Sequence, residues 1–255
     1  MRKTKENIKK DLHSLGICDG DVVLMHSSYK SLGEIEGGAK TFFDAFTELL
    51  GDDGTLVVPT LSFESVTRDN PMFDINETPS CVGYLSEYFR TKVPGVLRSM
   101  HATHSCCAVG RLAREIIAEH ELDVTPVGKN SPFAKLPEYG GKILMLGCNI
   151  DRNTSIHGVE ETLNLPYGID RSKPVNYVLK NGDKVINRTS YRHEFTDANG
   201  NHIAQCYGRI LNLLDDNEFA KGFVLSAECY LMDASAVWKK GHEKLVNDPF
   251  YFVEC

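Results

Sequence analysis

The segment from Asn153 to Asn164, NTSIHGVEETLN, contains residues that could transfer a proton. His157 is followed three and four positions later by Glu160 and Glu161. Residues three and four apart lie on one face of an α-helix, so either carboxylate could hold the imidazole. Neutral imidazole suits general-base work near neutral pH, and a carboxylate fixes its tautomer and stabilises the cation. The segment therefore predicts a base that deprotonates an incoming nucleophile, with a structural histidine as the alternative.

The segment from Met25 to Gly38, MHSSYKSLGEIEGG, could bind a phosphate. An apolar strand here runs into hydroxyl side chains, Lys30 and three glycines ahead of a helical pattern. Backbone N–H groups and hydroxyls in such a loop can contact a phosphate or amide carbonyls, with the lysine as counter-charge. The segment matches neither the dinucleotide-binding G-x-G-x-x-G nor the G-x-x-x-x-G-K-[ST] phosphate loop. An ordinary connection between a strand and a helix is therefore the alternative.

Two further histidines, His101 and His104, precede a strand pattern in RSMHATHSCCAVG. They could bind a metal, but zinc sites need at least three protein ligands and no third occurs at diagnostic spacing. We therefore expect no metal, with one histidine bonded within the fold and the other lining a pocket. Cys106 and Cys107 are poor nucleophile candidates, because adjacent strand residues point to opposite faces and no activating environment is evident. The eight cysteines contain no C-x-x-C pair, so a zinc ribbon or redox dithiol is not indicated.

The overall composition disfavours several functional classes. The chain has 255 residues, of which 42% are hydrophobic and 25% charged, as in an ordinary globular protein. Acidic residues outnumber basic ones by 35 to 28, giving a net charge of -7, which disfavours nucleic acid as a partner. The N-terminus lacks the apolar core of a signal peptide, and no run of about 18 apolar residues predicts a membrane span. We therefore expect a cytoplasmic protein.

The elements that must position these residues alternate along the chain, which predicts a layered α/β domain. Buried strands are predicted at DVVLMHSS, GTLVVPTLS, SCCAVG and GKILMLG. Helices are predicted at about residues 5–15 and at AKTFFDAFTELLG, TPSCVGYLSEYFR and RLAREIIAEHEL. After Pro166 the alternating, β-branched pattern around NGDK predicts a β-hairpin, either an insertion or an antiparallel extension of the sheet. No repeat or flexible linker is evident, so we expect a single domain over residues 1–255.

Seven segments, in one order, resemble the aminoglycoside 3-N-acetyltransferase family, the antibiotic N-acetyltransferases that use acetyl-coenzyme A and differ in fold from the GNAT acetyltransferases. They are HSSYKSLG, GTLVVPT, FDINETPSCVG, GVLRSMHATHS, TPVGKNSPFAKL, GGKILMLG and NTSIHGVEE. The resemblance is close from Met25 to Pro166 and loose beyond. One departure is Ala102, where family members typically have proline. It affects the loop geometry more than the chemistry, because His104 and Ser105 are retained.

This resemblance implies a three-layer α/β/α domain with a central mixed β-sheet, to which the predicted hairpin is an extension in the C-terminal third. It implies direct transfer of acetyl from acetyl-CoA, as co-substrate, to an amino group. The family's H-x-x-E motif maps onto His157 and Glu160, which favours Glu160 over Glu161. His104 and Ser105 would lie near the thioester, as oxyanion donors or CoA contacts. The family's HSS...G loop implies further CoA contacts from His26, Ser27, Ser28, Lys30, Ser31, Leu32 and Gly33.

A polycationic aminoglycoside acceptor would need an acidic pocket near the strand ends. The candidate carboxylates in loops there are Glu64, Asp74, Asp151 and Asp170. The expected partners are CoA and a small-molecule amine, without nucleic acid or membrane, and a homodimer is the assembly considered. An acyltransferase of the same family that acts on a non-antibiotic amino sugar is one alternative. The others are a metal-dependent deacetylase or hydrolase, which a chelator would inactivate, and a CoA or nucleotide-binding module without turnover.

Overall fold

The computed structural model describes residues 3–196 and 200–254. Within these ranges the α-helices are α1 Lys5–Leu15, α2 Tyr29–Leu32, α3 Gly38–Leu50, α4 Tyr84–Lys92, α5 Ala113–Ile117, α6 Pro132–Lys135, α7 Ser155–Glu161 and α8 Ala234–Asn247. Short 3-10 helices lie at His120–Leu122, Leu136–Tyr139, Ile150–Arg152 and Tyr207–Asn212. None of the helices in the described ranges is long and apolar enough to cross a bilayer.

The strands form one large sheet and three small ones. They are β1 Val22–Ser27, β2 Thr55–Pro59, β3 Met72–Asp74, β4 Leu97–Arg98, β5 Cys106–Gly110, β6 Lys142–Leu146, β7 Gly168–Ile169, β8 Val175–Asn181, β9 Lys184–Ser190, β10 His193–Glu194, β11 Ala204–Gln205, β12 Phe219–Val224, β13 Ala227–Asp233 and β14 Val253–Glu254. The large sheet has seven strands in the order β12-β13-β6-β1-β2-β5-β4. Its centre is parallel, since β1 pairs in parallel with both β2 and β6, and its outer pairs are antiparallel. The predicted mixed sheet is therefore confirmed.

Apolar side chains fill both faces of this sheet, because successive strand residues point to opposite sides. On β1, Val23 and Met25 join one buried cluster, whereas Val22 and Leu24 join the other. The first cluster includes side chains of α1, α3 and α4, and the second includes side chains of α5, α6, α7 and α8. The helix that carries His157 therefore packs against the same face of the sheet as α8.

The residues around NGDK pair as the antiparallel strands β8 and β9, which are joined through Gly182 and Asp183. They do not continue the large sheet, because the free edge of β8 pairs in parallel with β3 to make a separate three-stranded sheet. Strands β12 and β13 provide the antiparallel extension of the large sheet instead. The small sheet buries its own apolar cluster, which includes Phe73, Tyr177 and Leu179.

Candidate active site

A cleft of about 550 Å³ opens at one edge of the large sheet. The parallel strands β1, β2 and β6 end at this edge, and Ser27, Pro59 and Cys148 at or just beyond their ends line the cleft. Crevices at the carboxyl ends of parallel strands are the usual ligand sites of α/β sheets. The titratable and charged lining residues are His26, Glu64, Cys81, His104, Cys148, Asp151, Arg152, His157, Arg192 and His193.

His157 lies on the first turn of α7, which follows β6 through a 3-10 turn. Its Nδ1 is 2.7 Å from the Tyr207 hydroxyl oxygen and 3.3 Å from Glu160 Oε2. The Tyr207 hydroxyl also donates to Glu160 Oε2 over 2.8 Å. A tyrosine hydroxyl has one hydrogen, so when it donates to Glu160 it accepts a hydrogen bond from His157 Nδ1–H. The imidazole Nε2 then keeps its lone pair and can accept a proton.

Burial maintains this arrangement. Tyr207 is 1% exposed and Glu160 is 6% exposed, whereas His157 lines the cleft. Burial and the neighbouring Glu160 raise the pKa of Tyr207 well above its usual value, so its hydroxyl stays protonated and keeps its hydrogen for Glu160. The three side chains therefore form a chain from the cleft-facing ring to a buried carboxylate.

Gly158 sets the depth of α7 in the protein. A Cβ atom added at Gly158 would collide with the Trp238 ring on α8 and with Val127. Val159, on the same helix, packs against the neighbouring glycine of α8, Gly241. Because no side chain separates α7 from these neighbours at Gly158, the helix lies close to α8. This packing fixes the position of His157 on α7.

The second glutamate of the motif, Glu161, has a different partner. Its Oε1 is 2.8 Å from His193 Nε2, and its two carboxylate oxygens accept the backbone N–H of Val127 at 3.0 and 3.2 Å. The helix spacing left the choice between Glu160 and Glu161 open, and the structure brings Glu160 to His157. The rings of His157 and His193 pack at 4.2 Å between centroids.

His104 lines the cleft, and Ser105 does not. The Nδ1 atom of His104 is 2.9 Å from the Thr103 hydroxyl, and its backbone N–H donates to His101 Nδ1 over 3.0 Å. Burial lowers the pKa of His104 well below its usual value, so the ring is neutral near pH 7. Ser105 is fully buried, where its hydroxyl donates to the Thr60 carbonyl oxygen over 2.9 Å. Its side chain therefore points into the fold, away from the predicted CoA site.

The loop after β1 contributes two residues to the cleft, His26 and Ser27. Among residues 3–196 and 200–254, His26 Nε2 is buried without a hydrogen-bond partner. Burial is the main cause that lowers the pKa of His26 to about 3, so this ring is also neutral. His26 therefore brings to the cleft wall a buried imidazole nitrogen that has no hydrogen-bond partner among the described residues.

The rest of the predicted CoA loop lies beside the cleft rather than on its wall. Ser28 precedes the short helix α2, and its carbonyl oxygen accepts the Ser31 hydroxyl over 2.6 Å. Leu32 is fully buried in the core, whereas Lys30 and Gly33 are exposed. Gly33 has a φ of 75°, which favours glycine. Among these residues only Lys30 carries a charged side chain, and it is exposed.

The predicted acceptor carboxylates separate into two groups. Glu64 and Asp151 line the cleft. Asp74 lies on the small sheet, where its carboxylate pairs with Lys180 at 3.2 Å, and Asp170 pairs with Lys173 at 2.9 Å. Neither Asp74 nor Asp170 is among the lining residues in the described part of the chain. Asp74 ends β3 in the small sheet and Asp170 follows β7, and each pairs with a lysine rather than lining the cleft.

Several cleft residues have no counterpart in the sequence prediction. Arg152 and Arg192 line the cleft, and the Arg192 guanidinium donates to the carbonyl oxygens of Phe63 and Val66. Tyr207 and His193 reach His157 from positions 50 and 36 residues further along the chain. No local spacing signals such contacts. Across the described ranges, no three His, Cys, Asp or Glu side chains are grouped so as to hold a metal ion.

The chain is similar to proteins of known activity. The family model for aminoglycoside 3-N-acetyltransferase matches residues 24–245. Aminoglycoside N(3)-acetyltransferase IX of Micromonospora chalcea is 31% identical, over 92% of this chain and 90% of that protein. The SPbeta prophage-derived aminoglycoside N(3')-acetyltransferase-like protein YokD of Bacillus subtilis is 30% identical, over 75% of this chain and 77% of that protein.

Solved structures resemble the whole fold. AAC-IIIb in a binary complex with CoASH matches with a TM-score of 0.83 and 26% identity over 97% of both chains. A histidine-to-alanine mutant of AAC(3)-IVa in complex with a gentamicin matches with a TM-score of 0.82 and 27% identity, over 99% of this chain and 92% of that chain. The sequence-based prediction of the family is therefore confirmed, and this chain, an acyltransferase, belongs to the aminoglycoside 3-N-acetyltransferase family.

Proposed function

We propose that this protein transfers the acetyl group of acetyl-CoA to an amino group of an aminoglycoside, at its 3-amino position, or of a related amino sugar. The observation that carries the proposal is the chain from His157 through Tyr207 to Glu160 at the wall of the cleft. It leaves one imidazole nitrogen free to accept a proton from an amine.

His157 is the proposed general base. An ammonium group has no lone pair, so the acceptor must lose a proton to attack the thioester carbonyl. In a ternary complex, His157 Nε2 takes that proton while the nitrogen bonds to the acetyl carbon. Collapse of the tetrahedral intermediate breaks the carbon–sulfur bond, the nitrogen loses its second proton, and the thiolate of CoA takes up that proton as it leaves.

Glu160 and Tyr207 are proposed as positioning residues for this base. The hydrogen bond from Tyr207 to Glu160 directs the Tyr207 oxygen toward His157 Nδ1, which fixes the tautomer with the lone pair on Nε2. When the ring takes a proton, the buried carboxylate of Glu160 stabilises the cation. Removal of Glu160 would then slow proton transfer without removing a substrate contact.

His104 is the proposed donor to the oxyanion. If the Thr103 hydroxyl donates to His104 Nδ1, the neutral ring carries its hydrogen on Nε2 and can donate it. The ring lines the same cleft as His157, at 6.4 Å between centroids. A donor and a base at this separation leave room for the reacting carbonyl between them. Ser105 is buried behind this loop, which favours His104 over Ser105 for the role.

The wall formed by His26 and Ser27 is the proposed start of the CoA site, with Ser28 to Gly33 and Ser105 supporting it. The complex of the relative AAC-IIIb with CoASH supports acetyl-CoA as the co-substrate. The His26 nitrogen that lacks a protein partner in the described residues supports a polar ligand contact at this wall. Lys30 would add a positive charge for a phosphate.

Glu64 and Asp151 are the proposed acceptor-binding carboxylates. The gentamicin complex of the relative AAC(3)-IVa supports a cationic amino sugar as the acceptor. Two guanidinium groups, on Arg152 and Arg192, line the same cleft and offset the two carboxylates. This balance supports a less cationic amino sugar of the non-antibiotic kind as the second candidate acceptor.

Residues 1–255 are proposed as a single catalytic domain with the three-layer α/β/α arrangement. The two apolar clusters on opposite faces of the large sheet, each closed by helices, support the three layers. The sheet of β3, β8 and β9 is proposed as an addition to that domain rather than a second one, because Arg192 at the cleft wall donates a hydrogen bond to the Tyr177 hydroxyl on β8.

A thiol-release assay tests the proposal. Purified protein is mixed with acetyl-CoA and a panel of aminoglycosides and nucleotide-linked amino sugars, and free thiol should appear only when an amine acceptor is present. In His157→Ala, kcat should fall by about two to four powers of ten while CoA binding is retained. His242→Ala is a matched control, because His242 lies on α8 and contacts Thr162 instead of the cleft. Unchanged turnover in His157→Ala would remove the proposed base.

A further inference from the structure

A second histidine–glutamate pair, His193 and Glu161, lies directly beside the proposed base. His193 Nε2 and Glu161 Oε1 are 2.8 Å apart. The His193 ring packs on His157 at 4.2 Å between centroids and 32° between planes, and it meets the His104 ring edge-on at 4.9 Å. His193 lines the cleft, so the pair extends from the cleft wall to a buried carboxylate. The proposed mechanism does not use this pair.

The pair is almost closed to solvent, with side-chain exposures of 12% for His193 and 5% for Glu161. Burial raises the pKa of Glu161 to about 7, although Thr125 and Val127 donate hydrogen bonds to it. Burial, with His157 next, lowers the pKa of His193. Both shifts disfavour charge, so at low pH the pair holds a proton and at high pH it carries a negative charge.

Other ionisable groups face the pair from several elements. The charges that act on His193 are those of His157 on α7, His101 and His104 in the loop before β5, and the neighbouring Arg192. Those that act on Glu161 are His157, Arg171 before β8, Tyr207, and Asp123 after the 3-10 turn that contains His120. Among these groups, His157 alone both contacts the His193 ring and is the proposed base.

We propose that His193 and Glu161 form a proton-holding pair whose ionisation controls how readily His157 accepts the proton of the acceptor amine. Two imidazoles packed at 4.2 Å repel each other strongly when both are charged, so their proton occupancies are coupled. When the pair has lost its proton to solvent, its negative charge favours a proton on His157. When the pair holds a proton, it has no net negative charge and this stabilisation of a proton on His157 is absent. His193 and Glu161 are therefore positioning residues that make the rate depend on pH.

This inference rests on the proposed function, but its first test needs no turnover. The ring nitrogens of His193 are followed by 15N NMR in the substrate-free protein between pH 6 and 8, and the signals are assigned with His193→Asn. Loss of the pair's proton changes the donor in the bond between Nε2 and Glu161, so the His193 signals should move across this range. In Glu161→Gln, which keeps a hydrogen-bonding side chain without a charge, they should stay constant. Constant signals in the wild type would overturn the proposal.

The second test compares pH profiles of kcat/KM with one acceptor, so that the ionisation of the acceptor cancels. The ratio of kcat/KM at pH 8 to kcat/KM at pH 6 should be about tenfold larger for the wild type than for Glu161→Gln. A tenfold difference corresponds to about one unit in the pKa of the base. Glu243→Gln, an exposed change on α8, should match the wild type. Equal profiles for the wild type and Glu161→Gln would overturn the control of His157, even if His193 titrates.

The two tests separate this inference from the proposed function. If no amine releases thiol from acetyl-CoA, the proposed function fails, and the NMR titration still decides whether the pair exchanges a proton. If Glu161→Gln does not fold, the wild type alone remains decisive. In that case the rise of wild-type kcat/KM must fall in the same pH range as the His193 signal change, and a rise in another range contradicts the proposal.

Discussion

The protein contains two sets of packed histidine rings, and their surroundings differ. His157 and His193 pack at 4.2 Å between centroids at the cleft wall, and each contacts a glutamate. His101 and His120 stack at 4.6 Å beneath the cleft, where Ser99 bonds His120 Nδ1 over 2.9 Å. Both members of this buried pair are at most 3% exposed. Ring packing alone therefore does not identify a catalytic histidine.

The difference lies in what a proton would meet. A proton on His157 would lie beside Glu160 at the cleft, whereas a proton on His101 or His120 would be a buried charge, since Nε2 of each has no hydrogen-bond partner in the described part of the chain. Burial accordingly lowers the pKa of His101 to about 4 and lowers that of His120 well below its usual value. The buried pair can hold the loop before β5 in place, and the set at the cleft is the one proposed to exchange protons with a substrate.

The largest difference between the two sets is expected when the cleft set loses the carboxylate of Glu160. Glu160→Gln should lower kcat by about two to three powers of ten and leave KM for acetyl-CoA nearly unchanged, because Glu160 stabilises the charged ring and does not line the cleft. Steady-state kinetics measure this, with Glu243→Gln as the control. A similar kcat for Glu160→Gln and the wild type would mean that the cleft set needs no carboxylate.

A smaller effect is expected from the hydroxyl that links the cleft ring to its carboxylate. Tyr207→Phe should lower kcat about tenfold, since the direct contact of 3.3 Å between His157 and Glu160 remains available in place of the two shorter bonds. Tyr230→Phe is the matched control, because that hydroxyl contacts Glu228 on strand β13. A loss as large as that of Glu160→Gln would show that Glu160 acts on the ring through Tyr207 alone.

The smallest expected effect is a change in the free energy of unfolding as pH falls, and it concerns the buried pair His101 and His120. A histidine has a pKa near 6.5 in the unfolded chain and a lower one here, so its contribution to stability is present above pH 6.5 and is lost as pH falls toward the folded value. Between pH 7.5 and 5.5, His120→Phe should therefore lose about 1 kcal/mol less free energy of unfolding than the wild type.

Urea unfolding at the two pH values measures this difference, and His13→Gln, an exposed change at the end of α1, is the control. At pH 7.5, His120→Phe should keep kcat within a few-fold of the wild type. A loss of kcat comparable with that of Glu160→Gln would place His120 in the catalytic group and remove the distinction between the two sets.

Local patterns predicted what depends on local geometry. The alternation of strands and helices predicted a layered α/β protein, and helical spacing reduced the partner of His157 to Glu160 or Glu161. The mixed sheet was implied by the family resemblance instead. The choice between the two glutamates depended on His193, which lies 32 residues beyond Glu161 and forms a hydrogen bond with it. Tyr207 lies 47 residues beyond Glu160 and was not predicted for the same reason. Contacts of this kind are set by packing of the whole chain, which no spacing within one segment encodes.

Side-chain direction was the other limit. Ser105 stands next to His104 in the sequence, yet one is buried against Thr60 and the other lines the cleft. Asp74 and Asp170 were predicted to lie near strand ends at the cleft, but Asp74 ends β3 in a separate small sheet and Asp170 pairs with Lys173. A loop position shows that a residue is accessible to solvent. It does not show toward which cavity the residue points.

The glycine at 158 has a consequence for attempts to alter this enzyme's acceptor. Because Gly158 contacts Trp238 and Val127, even an alanine there would displace α7, and with it the His157 ring, relative to a bound amine. Mutant libraries that randomise the whole motif would thus consist mainly of inactive clones. Diversity directed at Glu64 and Arg152, which are exposed at the cleft and belong to no packed helix face, should explore new acceptors while the catalytic frame stays intact.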